Sequence, residues 1–407
     1  MHDNHSHPHG IAGDQRKYRL LIMNLYTEMG GGEYALYNTL RCVDRNRYTP
    51  IMVFPGDGTF PERMRSIGID TVIVPYPVVM LKRLVRPSVM VQSAIASKRI
   101  YSLMQEREID AVQCSDLLSL LILTFPVLLK RVPVVYCVIF FYEWIRALLF
   151  NLLAVIVVDS IVANSPAVAE DLRRTTMMLD EKIETITPGV DTSVFRPRQA
   201  DEPNTLKRHL QLPSSTTLVG MVGRFDPVKG HHLFIQAAAK VHQSDPEIRF
   251  VILGGLMNER IYPAIGEYYR MVLGLAQPLI SEERMFFLRE GEDAAEALRC
   301  LDLLVCPSVK EGFGLIVLES LSSGVPVVLS RSVGAWNLVR SMPGVYAVDE
   351  PEPDLLAGAI VSALGQKYSA QEGVREKLSS GHSWKLTARA FESKYKSVIT
   401  RETVSYH

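Results

Sequence analysis

Pro307-Ser-Val-Lys-Glu311-Gly-Phe-Gly-Leu-Ile-Val-Leu-Glu319-Ser-Leu-Ser-Ser-Gly324-Val-Pro326-Val-Val-Leu329 holds a complete strand–turn–helix–strand unit. A strand ends at Cys306, a glycine-bearing turn follows, a helix begins near Gly314 and stops at Gly324, and the next strand opens at Val325. The flanking strands are apolar throughout rather than alternating, which is the pattern of a parallel sheet covered on both faces. The first turn of the helix leaves backbone N–H groups without intrahelical partners, and the positive end of the helix dipole lies there too. Such a mouth accepts phosphate, and Gly312 and Gly314 let a ligand approach the backbone closely.

Outward from this unit the same rhythm recurs. Strand candidates in the first half are 19–24, 51–54, 71–74, 111–113, 132–138 and 160–163. In the second half they are 217–222, 249–253, 284–287, 302–306, 325–329 and 345–348, again largely with helices between. Pro197, Pro203 and Pro213 punctuate the polar stretch 196–211, which reads as the linker. The expectation is an α/β chain of two Rossmann-like domains, 17–198 and 212–380, whose parallel sheets face an interdomain cleft. A terminal amphipathic helix (381–407), with Leu386, Ala390, Tyr395 and Val398 on one stripe, packs back toward the first domain. At 407 residues the chain exceeds what one core usually organises.

Composition narrows the class. Hydrophobic content of 47% with 22% charged residues describes a packed globule, and the balance of 44 Lys plus Arg against 44 Asp plus Glu gives no basic surface for nucleic acid. The cysteines Cys42, Cys114, Cys137, Cys300 and Cys306 are scattered without a CxxC pair and read as small buried hydrophobes. The polar, histidine-bearing start is no signal peptide, and no run reaches membrane-span length. The longest apolar runs, 117–129 and 147–158, suit buried helices and parallel strands. A cytoplasmic protein is expected.

Three constellations carry chemistry. Glu311 lies in the turn and Glu319 more than one helical turn along, so one carboxylate faces the reactive end of a ligand and the other a distant part, such as a ribose diol. The plain alternative makes Glu311 a cap and Glu319 a solvated helix residue. Gly223-Arg224 ends a strand, with Lys229 and Gly230 entering a helix; two fixed cations there suit a pyrophosphate, whereas alone they would pass for surface charges. Met29-Gly30-Gly31-Gly32-Glu33 follows the first strand and can cradle an anion with its N–H groups, or be a tight turn of no chemical role. No Asp-x-Asp motif is present for a divalent metal.

Together these residues resemble the retaining, metal-independent glycosyltransferases of family 4, which have the GT-B fold. The Glu-x7-Glu element matches at Glu311 and Glu319, and the Gly-Arg…Lys-Gly element at Gly223, Arg224, Lys229 and Gly230. The Gly-rich loop, Ala163-Asn164-Ser165 and Pro188-Gly189-Val190-Asp191 are similar too. The resemblance implies that Arg224 and Lys229 hold the diphosphate of a nucleotide-sugar donor and that Glu319 holds its ribose. Glu311 meets the transferred sugar, and Gly312, Phe313, Gly314, Leu315, Gly31 and Gly32 line the donor site. It implies no cofactor and no metal, with a glycan or lipid-linked acceptor. Where the family commonly has a histidine that touches the sugar, this chain has Ile139, with Tyr142 and Glu143 as substitutes. That departure keeps a binding-only homologue in view, beside a nucleotide-sugar epimerase. Residues 82–107 carry Lys82, Arg83, Arg86, Lys98, Arg99 and Arg107 among apolar residues. Such a segment either lies on anionic membrane, placing the protein at the inner face, or is a solvated helix face over the core.

Overall fold

Short runs that are apolar throughout suit parallel strands, because a sheet covered on both faces buries every residue of such a run. The computed structural model describes residues 16–78, 86–141, 144–175, 177–256, 264–288, 294–366 and 372–404. The first lobe opens with β1 (Tyr18–Met23), α1 (Gly31–Cys42), β2 (Tyr48–Phe54), α2 (Thr59–Ser66), β3 (Asp70–Ile73) and α3 (Pro87–Glu106). It continues with β4 (Ala111–Cys114), α4 (Leu117–Lys130), β5 (Val134–Val138), α5 (Trp144–Val157), β6 (Ser160–Ala163), α6 (Pro166–Thr175) and β7 (Ile183–Thr185).

The second lobe contains α7 (Thr205–His209), β8 (Leu218–Val222), α8 (His231–Ser244), β9 (Arg249–Leu253), α9 (Ala264–Ser281) and β10 (Met285–Leu288). After it come α10 (Ala294–Arg299), β11 (Leu303–Cys306), α11 (Leu315–Ser322), β12 (Val327–Ser330), α12 (Trp336–Val339) and β13 (Val345–Val348). The chain closes with α13 (Pro353–Gly365), α14 (Glu372–Gly381) and α15 (Trp384–Val404).

Both sheets are parallel, ordered β3-β2-β1-β4-β5-β6-β7 and β10-β9-β8-β11-β12-β13. In each the order reverses between the first strand and the fourth, β1/β4 and β8/β11. Loops leaving those strands diverge there and open a crevice. The first sheet is covered on one face by α3, α4, α5 and α6 and on the other by α1, α2 and α15.

Several boundaries differ from the sequence expectation. β7 was absent from it: a three-residue edge strand with Ile183 alone apolar leaves no run to see. The stretch 196–211 is not all linker. Asn204 caps α7 by accepting from Lys207 N at 2.9 Å, its amide donates to the Cys300 carbonyl at 2.8 Å, and Leu206 is buried, so α7 belongs to the second lobe. On α15 the buried stripe is Trp384, Thr387, Ala388, Tyr395 and Val398, while Leu386 faces outward. Tyr395 donates to Gln113 and Tyr48 to the Glu392 carbonyl at 2.9 Å, which fixes α15 on the first lobe. The turn Pro188–Asp191 meets the start of this helix, with Val190 N donating to the His382 carbonyl at 2.7 Å.

The apolar stripe read into 82–107 divides in α3. Val89 and Ile100 enter the core and Met90 and Ile95 face outward; Lys82 and Arg83 lie outside the described residues. α4 and α5 are helices, yet neither is buried all round. All five cysteines are free thiols, four of them buried, and no helix among the described residues is long and apolar enough to cross a membrane.

Candidate functional site

The site grows from the β8/β11 crevice. Gly314 caps α11 at φ +87, a left-handed conformation that suits glycine. Ahead of it Glu311 is fixed by its backbone, the carbonyl accepting from Gly334 N at 3.0 Å, and Ser308 Oγ donates to its carboxylate at 3.3 Å. The Ser308 carbonyl in turn accepts from Ser330 Oγ at 2.5 Å and Ser332 Oγ at 2.7 Å. These serines, Ser330 at the end of β12 and Ser308 and Ser332 in the turns after β11 and β12, fix the shape of the loop. Nothing local in the sequence singled them out.

Lys229 reaches the same turn from the neighbouring strand. Asp226 caps the short 3-10 turn Pro227–Lys229 through Val228 N at 3.1 Å, and Gly230 closes it at φ +77. The Lys229 ammonium forms an ion pair with the Glu311 carboxylate, and both side chains remain partly open to solvent. Arg224 is half-exposed, 3.3 Å from Asp226, and close enough to Glu33 of the first lobe to favour that residue's charged form. Behind them His231, which the sequence reading missed, is fully buried with Nε2 3.4 Å from the Gly223 carbonyl oxygen. Burial first, with the Lys229 charge adding, lowers its pKa to about 4, so it stands neutral near pH 7. Stacked on Phe225 at 4.5 Å, it braces the Gly223–Arg224 turn.

The glycine-rich loop of the first lobe is the start of α1 itself, with Gly30 as cap and Gly31 and Gly32 in the first turn. Glu33, at the third position, turns its carboxylate back to the Gly30 and Glu33 amides, with Asn24 beside it. This is the carboxylate half of a capping box, since Gly30 has no side chain to supply the other half. A carboxylate therefore already occupies part of this helix mouth. An external anion meets less free positive charge here than at α11. Burial holds the Glu33 pKa above its ordinary value.

The lobes touch beside this loop. A Cβ on Gly32 would press on Ile139 Cδ1, and one on Gly312 would overlap the Ile139 carbonyl oxygen. That carbonyl accepts from Asn164 Nδ2 at 3.0 Å, and Lys310 Nζ sits 4.5 Å from the Phe141 ring centre. Ile139 thus stands directly after β5 at the floor of the cleft, presenting an aliphatic wall. Tyr142 and Glu143 lie outside the described residues.

Glu319 is buried one turn into α11, not solvated, and burial pushes its pKa up to about 8. Tyr34 of α1 lies within its field: burial first, then the Glu319 charge, raise the phenol. The Tyr34 ring stands edge-on to Trp384 at 6.2 Å. Glu319 therefore sits where both lobes and the last helix converge. Phe313 is buried, its carbonyl accepting from Ala335 N at 2.7 Å, and Leu315 opens the first turn of α11. Two cations and one helix mouth, chemistry that suits an anion, thus lie with two carboxylates at different depths.

Residues 203–378 match the family described as Glycosyl transferases group 1, and residues 29–194 match Glycosyltransferase Family 4. The D-inositol 3-phosphate glycosyltransferase of Corynebacterium urealyticum is 28% identical over 254 residues, 60% of this chain and 57% of that one. Its namesake from Salinispora tropica is 30% identical over 57% of this chain and 49% of that one. The match thus spans about half the length of these curated relatives. Among solved structures, the Anabaena HepE protein in complex with UDP and glucose superposes with TM-score 0.77 at 19% identity, over 93% of this chain and 99% of that one. Sucrose-phosphate synthase from Thermosynechococcus elongatus gives TM-score 0.75 at 17% identity, over 95% and 100%. At such identities the likeness is one of fold, and the fold is GT-B.

Proposed function

The chain belongs to the family 4 glycosyltransferases, and on that premise we propose that it moves a sugar from a nucleotide-diphosphate donor to an acceptor hydroxyl with retention of configuration. The observation that carries this reading is the Lys229–Glu311 pair at the mouth of α11, facing the first lobe.

In the proposed reaction the bond from the anomeric carbon to the β-phosphate oxygen breaks, and its electron pair stays on the diphosphate. The acceptor oxygen bonds to the same face of that carbon and its proton passes to the departing phosphate oxygen. Arg224, Lys229 and the amides of Gly312–Leu315 stabilise the growing negative charge, the part a divalent metal would otherwise play. Glu319 accepts hydrogen bonds from the ribose, and Glu311, released from Lys229 when the phosphate arrives, turns to the sugar. Gly31 and Gly32 close over the donor from the other lobe. The acceptor in this reading is a lipid-linked or polysaccharide-precursor glycan that enters from the first-lobe side of the cleft.

A thermal-shift panel of nucleotide sugars tests the donor half, because a ligand that binds only the folded form raises the unfolding midpoint with concentration. UDP-sugars lead the panel, since the Anabaena protein was crystallised with UDP and glucose. Stabilisation by a nucleotide sugar, followed by acceptor-dependent release of the nucleoside diphosphate, supports transfer. Conversion of the donor without any acceptor points to epimerisation. Binding with no turnover points to a scaffold.

A further inference from the structure

The outer face of α3, α4 and α5 is apolar where a solvent-facing helix layer is normally polar. On α4, Leu121, Phe125 and Leu128 fall on one stripe, turned away from the core, and Phe125 is 58% exposed. On α5, Leu152, Val155 and Ile156 do the same, with Ile156 64% exposed. Met90, Val91 and Ile95 extend the face across α3. The three helices lie side by side on one face of the sheet, so the stripes adjoin; Tyr101 of α3 packs against Phe125 of α4 with ring centres 6.4 Å apart. Monomeric proteins seldom expose contiguous apolar patches beyond ~300–600 Å² without using them.

The charge around this face selects its occupant. Among the described side chains the three helices carry Lys98, Arg99 and Lys130 against Glu106 alone. Lys130 Nζ stands 5.6 Å from the Tyr101 ring centre, at the edge of the apolar stripe. Beside α3 a groove of about 620 Å³, floored by Val72, Val74 and Leu103, is rimmed by Lys98, Arg99 and Glu106. A second copy of the same chain would set cation against cation. A bilayer with anionic headgroups offers an apolar interior and a plane of phosphates together, which this face matches.

We propose that the α3–α4–α5 face of the first lobe docks on the surface of an anionic lipid bilayer, inserting its apolar stripes among the headgroups. In each of these crossover units the helix starts at the carboxyl edge of the sheet. Docking therefore brings the cleft rim, where α3 begins, toward the lipid. A membrane-borne acceptor would suit the transfer proposed above, but the docking does not depend on it.

The test is flotation of the full chain with vesicles of phosphatidylcholine alone and of phosphatidylcholine mixed with phosphatidylglycerol. The wild type floats with the mixed vesicles. Phe125→Glu combined with Leu152→Glu stays in solution, with its unfolding midpoint and its thermal shift by nucleotide sugars unchanged. Lys98→Glu with Arg99→Glu weakens binding to the mixed vesicles at least about tenfold, and high salt does the same. A wild type that floats with neither vesicle overturns the proposal, as does a Phe125→Glu/Leu152→Glu protein that floats normally. So does a wild-type dimer in solution that those substitutions break. A nucleotide-sugar shift that is absent throughout would count against the transferase reading while leaving the flotation result standing.

Discussion

Lys229 and Glu311, 82 residues apart in the chain, form an ion pair at the mouth of α11. Each is held by its own backbone turn, the lysine by the Asp226-capped 3-10 turn and the glutamate by the serine-braced loop. The two charges satisfy one another across the turn. In the proposed reaction the donor diphosphate competes for the lysine and leaves the carboxylate facing the sugar.

Lys229→Ala is expected to lower turnover at saturating donor by about 10²–10³, equivalent to roughly 3–4 kcal/mol of transition-state stabilisation. The fold should be unaffected, because the side chain is partly exposed. Steady-state kinetics with and without the substitution decide it: near-normal turnover would remove Lys229 from the chemistry.

Nucleotide binding should release a proton at neutral pH. Burial raises the Glu319 pKa from 4.5 to about 8, so the empty protein holds this carboxyl largely protonated at pH 7. Accepting two ribose hydroxyls favours the ionised form and lowers that pKa on binding. Affinity for the nucleotide then rises with pH up to about 8 and levels off above. Calorimetry in buffers of different ionisation heat measures the proton count, and Glu319→Gln should abolish the dependence. The stability sign is opposite. Between pH 4.5 and about 8 the folded state binds a proton that the unfolded state has lost, so this group's contribution to stability declines as pH rises through that window.

Gly312→Ala should separate binding from turnover. Its new Cβ would overlap the Ile139 carbonyl across the cleft, so the lobes cannot close to the observed distance. The nucleotide still reaches Arg224 and Glu319 in the second lobe. The expected result is near-wild-type nucleotide affinity with turnover down about 10²-fold, the usual cost of misplacing reacting groups by an ångström or so. Equal losses in both, measured side by side, would instead place Gly312 in the donor pocket alone.

What the sequence made legible was punctuation and period. Gly314 and Gly324 bracket α11, Gly223 and Gly230 bracket the cationic turn, and runs such as 249–253 can only be interior strands. What it concealed was the outcome of packing between distant segments. Glu319 looks like any helix carboxylate until tertiary packing, with Tyr34 of α1 close by, buries it. Ser308, Ser330 and Ser332 are ordinary serines at strand ends and turns until two strands bring them together. The apolar runs 117–129 and 147–158 imply burial by composition, yet each helix turns several of its apolar residues outward. Periodicity cannot reveal this when both faces are hydrophobic.

The last helix offers the clearest contrast between stripe and contact. Tyr395 is fully buried against Tyr48 and Phe391 and donates its hydroxyl to Gln113 of β4. Tyr395→Phe keeps the ring but strips the buried Gln113 oxygen of this donor, at an expected cost of about 1–3 kcal/mol. Leu386, on the same stripe by sequence, is on the outside; Leu386→Ala should stay within about 0.5 kcal/mol of wild type. Urea unfolding of the two variants distinguishes the alternatives. If α15 were seated on the face the sequence stripe suggests, Leu386→Ala would be the costly change and Tyr395→Phe the mild one; the contacts to Gln113, Tyr48 and Asp44 require the reverse order.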